Sequence, residues 1–265
     1  TAGGAIFNRG DNLAITGGVF GSEEKGNISY HRGGALYLDC VDGQNRSATI
    51  KDAVFIGNNV SAARSVSAGA LYVQTGVNAA IENCRFEKNQ TVFTGTSTTT
   101  YSYGGAVYVN SSTVAVTGSV FTGNTASMGG AILITGDNGS LTLKECEFSD
   151  NTAKTSGTDV RFNGKSKFHL AGKVKSEIAL ADTAAGYADE ALTEGSAITI
   201  RIINTSTINN RVVVTFKDDA VMNDSKSYFS LYDTHKNYRL SFNNSKAAIV
   251  KASLASGNRM RLEIV

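Results

Sequence analysis

The sequence predicts an all-β solenoid of the parallel β-helix kind, and three observations carry that prediction. Two short signatures alternate along the first 160 or so residues. One is Gly104-Gly105-Ala106-Val107, with copies beginning at Gly3, Gly33, Ala68 and Gly129. The other is Phe121-Thr122-Gly123-Asn124, with copies at Phe55, Phe86 and Phe148 and a degenerate one at Phe20. Successive Phe residues are 35, 31, 35 and 27 positions apart, a length that suits one β-helix turn with variable loops. Apolar and polar residues alternate between the signatures, the mark of strands with one buried face. Finally, the 265 residues include 28 glycines and no proline, where ordinary usage would give about a dozen prolines. A fold whose backbone N–H groups nearly all serve neighbouring strands has few places for proline.

Each part of the repeat has its own physical reason. Upstream of every Phe lies an apolar-x-apolar pair: Leu13/Ile15, Ala48/Ile50, Ala79/Ile81, Val114/Val116 and Leu141/Leu143. Two residues before the Phe sits a small side chain (Gly18, Ala53, Cys84, Ser119, Cys146), which predicts a tight bend without room for bulk. Two of the three cysteines fall in that file and are expected to be buried packers, not metal or redox groups. Three scattered cysteines make neither a disulfide scaffold nor a zinc site. The Gly-Gly pair suits a turn of positive φ or a close approach between coils. The Asn of Phe-x-x-Asn is expected to adopt the left-handed conformation and to join a hydrogen-bonded asparagine ladder. No single repeat buries its inner face alone, so stability must come from stacked neighbours.

The paired signatures resemble the repeats of the chlamydial polymorphic outer membrane proteins and of related bacterial adhesin-like surface proteins. The resemblance covers about residues 3–163, with a decayed last copy at Gly157-Thr158-Asp159-Val160. It implies a right-handed parallel β-helix, secreted or displayed on the bacterial cell surface, that acts in adhesion. It names no receptor, and the family's membrane barrel lies outside this segment. The chain opens in mid-motif and reads as an excised piece of a larger exported protein.

Residues 1–164 are therefore expected to form the repeat β-helix, and 165–265 irregular further coils with a β cap. A separate β-sandwich is the alternative for the second part. Strand patterns there run over Lys167–Leu170, Glu177–Leu180, Ala197–Ile203, Val212–Phe216, Tyr228–Tyr232, Tyr238–Phe242, Ala247–Val250 and Arg259–Val265. Ala181–Leu192 reads as a helical turn or a loop. The phrase from Leu192 to Ile198 resembles segments that follow such repeats in gut-bacterial surface proteins.

The functional expectation rests on what the coils turn outward. After each Gly-Gly one side chain points out between two inward ones, giving the file Phe7, Tyr37, Tyr72, Tyr108, Leu133. At coil spacing these rings would form an exposed stripe, suited to sugars or apolar protein surface. Asp39, Gln74 and Asn110, with Arg9 and Thr135, make a second outward file able to hydrogen-bond a glycan. Three longer connections, Gly21–Arg32, Asn59–Ser67 and Gln90–Tyr103, should protrude from one corner. The last is Thr-rich and carries Phe93, Tyr101 and Tyr103, a composition fit for adaptable recognition.

The sequence thus predicts binding to a host cell-surface glycan or protein, with no cofactor, no metal and no catalysis. A polysaccharide-cleaving enzyme and a structural stalk are the alternatives. Hydrolysis would want two placed carboxylates, and Glu82 with Glu145, or Asp39 with Asp42, lack a convergent basic group. His31, His169 and His235 stand in unrelated contexts. The turn Gly136-Asp137-Asn138-Gly139 lacks the repetition of calcium-binding turns. The net charge of +2 is dispersed, so no nucleic-acid footprint is present. No apolar run is long enough to enter a membrane. An ice-binding array would need Thr in register across coils, and Thr98-Thr99-Thr100 sits in one loop.

Overall fold

The computed structural model describes residues 2–10, 12–40, 45–98, 101–181, 183–203, 208–232 and 237–251. It is an all-β, parallel-stranded repeat architecture of the solenoid type. Among the described residues its strands form two curled sheets, one of 22 strands and one of 7. Each motif position becomes a column running along the stack. Leu36 pairs with Ile6 on one side and Leu71 on the other, and the column continues through Val107, Ile132 and Val160.

Because coils repeat at the strand spacing of about 4.8 Å, equivalent aromatic rings must lie face over face. Phe20, Phe55, Phe86, Phe121 and Phe148 do so inside the solenoid, with centroids 4.7–4.8 Å apart and planes within 10°. Burying each ring contributes roughly 2–3 kcal/mol. The small-residue file is likewise internal: Ala53, Cys84, Ser119 and Cys146 are all buried. The Cys84 thiol donates to Glu82 O at 3.2 Å and that of Cys146 to Lys144 O at 3.2 Å. Burial pushes the Cys146 thiol up to about 11, so these sulfurs act as packers.

The asparagines form the expected ladder. Asn58 Nδ2 donates to Asn89 Oδ1 at 2.9 Å, Asn89 Nδ2 to Asn124 Oδ1 at 3.0 Å, and Asn124 Nδ2 to Asn151 Oδ1 at 3.0 Å. Each second N–H reaches a Phe carbonyl one coil away, as from Asn89 Nδ2 to Phe55 O at 2.9 Å. One detail differs from expectation. The left-handed residue is the one before the Asn (Gly57, Lys88, Gly123, Asp150), not the Asn itself. That turn is what aims the amide inward.

The two glycines of the corner do different work. Gly104 has φ +61°, whereas a Cβ on Gly105 would lie 2.0 Å from Gly130 O of the next coil. A Cβ on Gly104 would itself lie 2.2 Å from Val107 O, within its own coil; Ala68 occupies that first position at φ +61°, while at the second the obstacle is the neighbouring coil.

The connections read as long loops need a correction in part. Asn59–Ser67 is mostly sheet and the other two carry strands at their ends: Ile28–Ser29, Asn59–Ala62, Val66–Ser67, Gln90–Phe93 and Ser102–Tyr103 belong to the smaller sheet. In the next coil the single strand Thr125–Met128 pairs with both Gln90–Phe93 and Ser102–Tyr103. Among the described residues of these connections the exposed stretches outside strands are 22–25, 63–65 and 94–98, the last two lying between half-strands of one continuous wall.

Parallel pairing continues past the repeats. Lys167–Leu180 is one strand laid against both Ser140–Ser149 and Val160–Phe162. Ala185–Leu192 is a strand on top of it, not a helical turn or loop. Ala197–Ile202 and Phe229–Leu231 add in the same sense. The antiparallel pair Tyr238–Asn243 and Lys246–Lys251 then closes on Arg211–Phe216. A helix, Asp219–Ser225, lies beside them and has no counterpart in the sequence reading. Asp218 caps it by accepting from Val221 N at 2.9 Å, and Ser225 Oγ accepts Leu192 N at 3.0 Å. The strand expected at Arg259–Val265 lies outside the described residues.

Candidate functional site

The outward aromatics fall into one column, as Phe7 pairs with Tyr37, Tyr37 with Tyr72, Tyr72 with Tyr108, and Tyr108 with Leu133. Ring centroids are 5.2, 4.9 and 5.0 Å apart and the planes are within 20°. The column is nevertheless not an exposed stripe. Tyr37 is 6% exposed, Tyr72 2% and Leu133 0%, and only Phe7 at the open end reaches 45%.

Two causes produce this. The left-handed corner folds the incoming strand back along the column, so Ala68 packs on Tyr37 and Tyr72, and Tyr103 tilts against Tyr108 at 6.3 Å. Stacking at coil spacing also makes each ring cover its neighbour's face, the surface a sugar would use. Burial raises the phenol pKa of Tyr72 and of Tyr108, as it does for groups held away from water.

The second file is tied down as well. Asp39 is buried, with Oδ2 accepting from Arg9 Nε at 3.0 Å and Oδ1 from Cys40 N at 3.0 Å. Asn110 Nδ2 donates to Gln74 Oε1 at 3.3 Å. Phe93, Tyr101 and Tyr103 are half-buried, Phe93 at the end of the strand Gln90–Phe93 and the two tyrosines at the strand Ser102–Tyr103.

The most open side chains at that corner were not singled out by the sequence. Tyr30 is 62% exposed, and Arg64 Nη2 donates to its carbonyl at 3.3 Å. Two residues on, the Arg32 guanidinium lies 5.1 Å over the Tyr72 ring, with Tyr37 also close enough to favour its charge. Burial works against the charge of Arg32, but Tyr72 and Tyr37 outweigh it and hold its pKa above the usual value. His31 between them is lowered by burial and by both arginines. The buried tyrosines thus serve as the shelf on which Arg32 rests. Their signal in sequence was only adjacency, Tyr30-His31-Arg32 running straight into Gly33.

The acid and histidine candidates are engaged elsewhere. Glu82 pairs with Lys51 at 2.7 Å, and Glu145 accepts Lys173 N at 3.0 Å. His169 Nδ1 lies 2.7 Å from Asp189 Oδ2, its ring stacked on Tyr187. Asp137 pairs with Lys165 at 3.0 Å, which holds its carboxyl below the usual range. Asp42 and His235 lie outside the described residues. Among the described residues no group of three or more His, Cys, Asp or Glu side chains is placed to hold a metal, and no helix is long and apolar enough to cross a membrane.

Residues 118–135 match the Chlamydia polymorphic membrane protein (Chlamydia_PMP) repeat. The match runs from the bend before Phe121 through the corner at Gly129-Gly130. No curated protein and no solved structure matches the chain.

Proposed function

We propose that this chain is a recognition segment of a secreted or surface-displayed bacterial protein, an adhesin-like module on a right-handed parallel β-helix. It contacts a host cell-surface glycan or protein by binding, without catalysis, cofactor or membrane insertion of its own. The observation that carries the reading is the corner of the smaller sheet. There the segments 63–65 and 94–98 leave adjacent coils of one wall, beside exposed Tyr30 and half-buried Phe93, Tyr101 and Tyr103. Variable segments on a fixed scaffold are where proteins place recognition. The repeat match at residues 118–135 supports a surface role of the same kind.

Tyr37, Tyr72 and Tyr108, with Asp39, Gln74 and Asn110, enter this proposal as the support of the site. Phe93, Tyr101 and Tyr103 enter as contacts. The test is a screen of the purified chain against glycans and host surface proteins, followed by Tyr30→Ala and Tyr101→Ala. Binding lost in those variants at unchanged melting temperature supports the site. Retained binding removes it. No binding at all leaves a structural stalk, and release of reducing or unsaturated sugars would move the case to an enzyme.

A further inference from the structure

Three basic groups meet at the same corner: His31, Arg32 and Arg64. Among the described residues neither arginine has a carboxylate within ion-pair distance, whereas Arg9, Arg85 and Arg201 each face one. Both guanidiniums are nonetheless held. Arg32 is held by its stack on Tyr72, and Ser29 Oγ donates to its carbonyl at 3.0 Å. Arg64 is tethered to Tyr30 O. A guanidinium oriented in advance and left without a counter-ion is suited to an oxyanion, whose two oxygens match its planar fork.

Beside the cations stands Tyr30, exposed and outside every ring stack among the described residues. Its faces are free in a way that those of Tyr37 and Tyr72 are not. On the coil above, Thr94 N bonds Ala62 O at 2.9 Å, so the exposed residues Thr94, Thr96 and Thr98 leave the wall one coil above the turn that carries Arg64. A ring platform, short hydroxyls and two paired cations together match a sugar that carries a carboxylate or sulfate.

We infer that the corner formed by Tyr30, Arg32 and Arg64 binds the anionic group of an acidic glycan, with Tyr30 under the sugar ring. This deepens the recognition reading and rests on it. Arg32 makes the fixed contact, Arg64 closes over the ligand, and the buried tyrosine column sets the height and angle of Arg32.

The test measures binding of the whole chain to immobilised heparin, a desulfated, N-acetylated and carboxyl-reduced (neutral) heparin, sialyllactose, lactose and an oligoglutamate peptide. Arg64→Glu and Tyr30→Ala are run beside it, since both side chains are exposed and their loss leaves the shelf intact. Binding to the sulfated or sialylated probe over its neutral counterpart is expected. It should weaken at least about tenfold in Arg64→Glu and fall with rising salt. Acidic-glycan binding unaffected by Arg64→Glu overturns the site. Binding to lactose and the neutral, carboxyl-reduced heparin alone overturns the ligand class while leaving the recognition reading in place. Binding to oligoglutamate alone assigns the corner to an acidic protein and overturns the glycan. No binding to any of these, together with none to host surface proteins, fails both readings.

Discussion

Asp159 Oδ1 accepts the side-chain N–H of Asn151 at 3.0 Å, so the asparagine ladder ends on a carboxylate in place of a further amide. Every rung donates toward the later coils, so the aligned amides present N–H at that end, where negative charge is favoured for the same reason as at a helix N-terminus. The other oxygen accepts Glu177 N at 2.8 Å. Asp159 therefore joins the last repeat to the coils that follow it.

That carboxyl is 8% exposed, and burial pushes its pKa up against the pull of the two hydrogen bonds. The unfolded chain releases this proton at about pH 4, while the folded chain holds it higher. Through that window the folded state binds more protons, so this group's contribution to stability falls as pH rises. Urea midpoints of wild type and Asp159→Asn, compared between about pH 4 and 7, should show wild type losing ground to the variant. A difference that grows in favour of wild type would contradict the assignment.

Asn89 is fully buried and its amide makes four bonds: it accepts from Asn58 N and Nδ2 and donates to Phe55 O and Asn124 Oδ1. Asn89→Ala orphans all four partners, each at about 1–3 kcal/mol. A loss of at least about 3 kcal/mol in urea unfolding is expected. Asn89→Asp cannot donate and should cost more at neutral pH than in acid. A loss under about 1 kcal/mol would show that the ladder carries little of the fold.

Substitutions at the corner should separate its two positions. Gly105→Ala drives a methyl into Gly130 O and is expected to prevent folding or to lower the melting temperature steeply. Ala68→Gly relieves a left-handed alanine by about 1 kcal/mol and loses a buried methyl worth about 0.8 kcal/mol. It should therefore be near neutral in thermal melts. Equal effects of the two would mean that close approach between coils does not distinguish the sites.

Tyr72→Ala tests the role assigned to the column. With the ring 2% exposed and stacked on both sides, truncation should cost about 3–5 kcal/mol and loosen Arg32 as well. Tyr101→Ala, half-buried at an insertion, should leave the melting temperature nearly unchanged. A Tyr72→Ala protein as stable as wild type would return the column to the surface.

The sequence spelled out what stacks and left out what covers it. Phe55 and Asn58 could be read because each does a job that no other residue type does, and the job repeats every coil. Alternation correctly turned Tyr72 outward. It carried no information about the strand that the left-handed Ala68 corner folds over that face. Asn59–Ala62 and Gln90–Phe93 passed for loop because a strand of four residues puts only two on each face, and here one of them is buried, Val60 or Thr91, too few for a period to show. The Asp219–Ser225 helix, seven residues long, announces itself only through its Asp218 cap. Tyr30, Arg32 and Arg64 belong to no repeating column, so repeat analysis could not bring them together; the corner does.

The account depends on successive copies of the motif lying in register, one coil on the next. Thr49 and Ala80 are paired outward neighbours in adjacent coils, so their Cα atoms stand about 4.8 Å apart, inside the range a disulfide spans. Thr49 and Glu82 share that face two residues out of register, about 8 Å apart. In a Cys40→Ser background, Thr49→Cys with Ala80→Cys should oxidise to a cross-link that shifts mobility on a non-reducing gel, and Thr49→Cys with Glu82→Cys should not. Equal cross-linking of both pairs, or of the second alone, would contradict the stacked register and the corner built upon it.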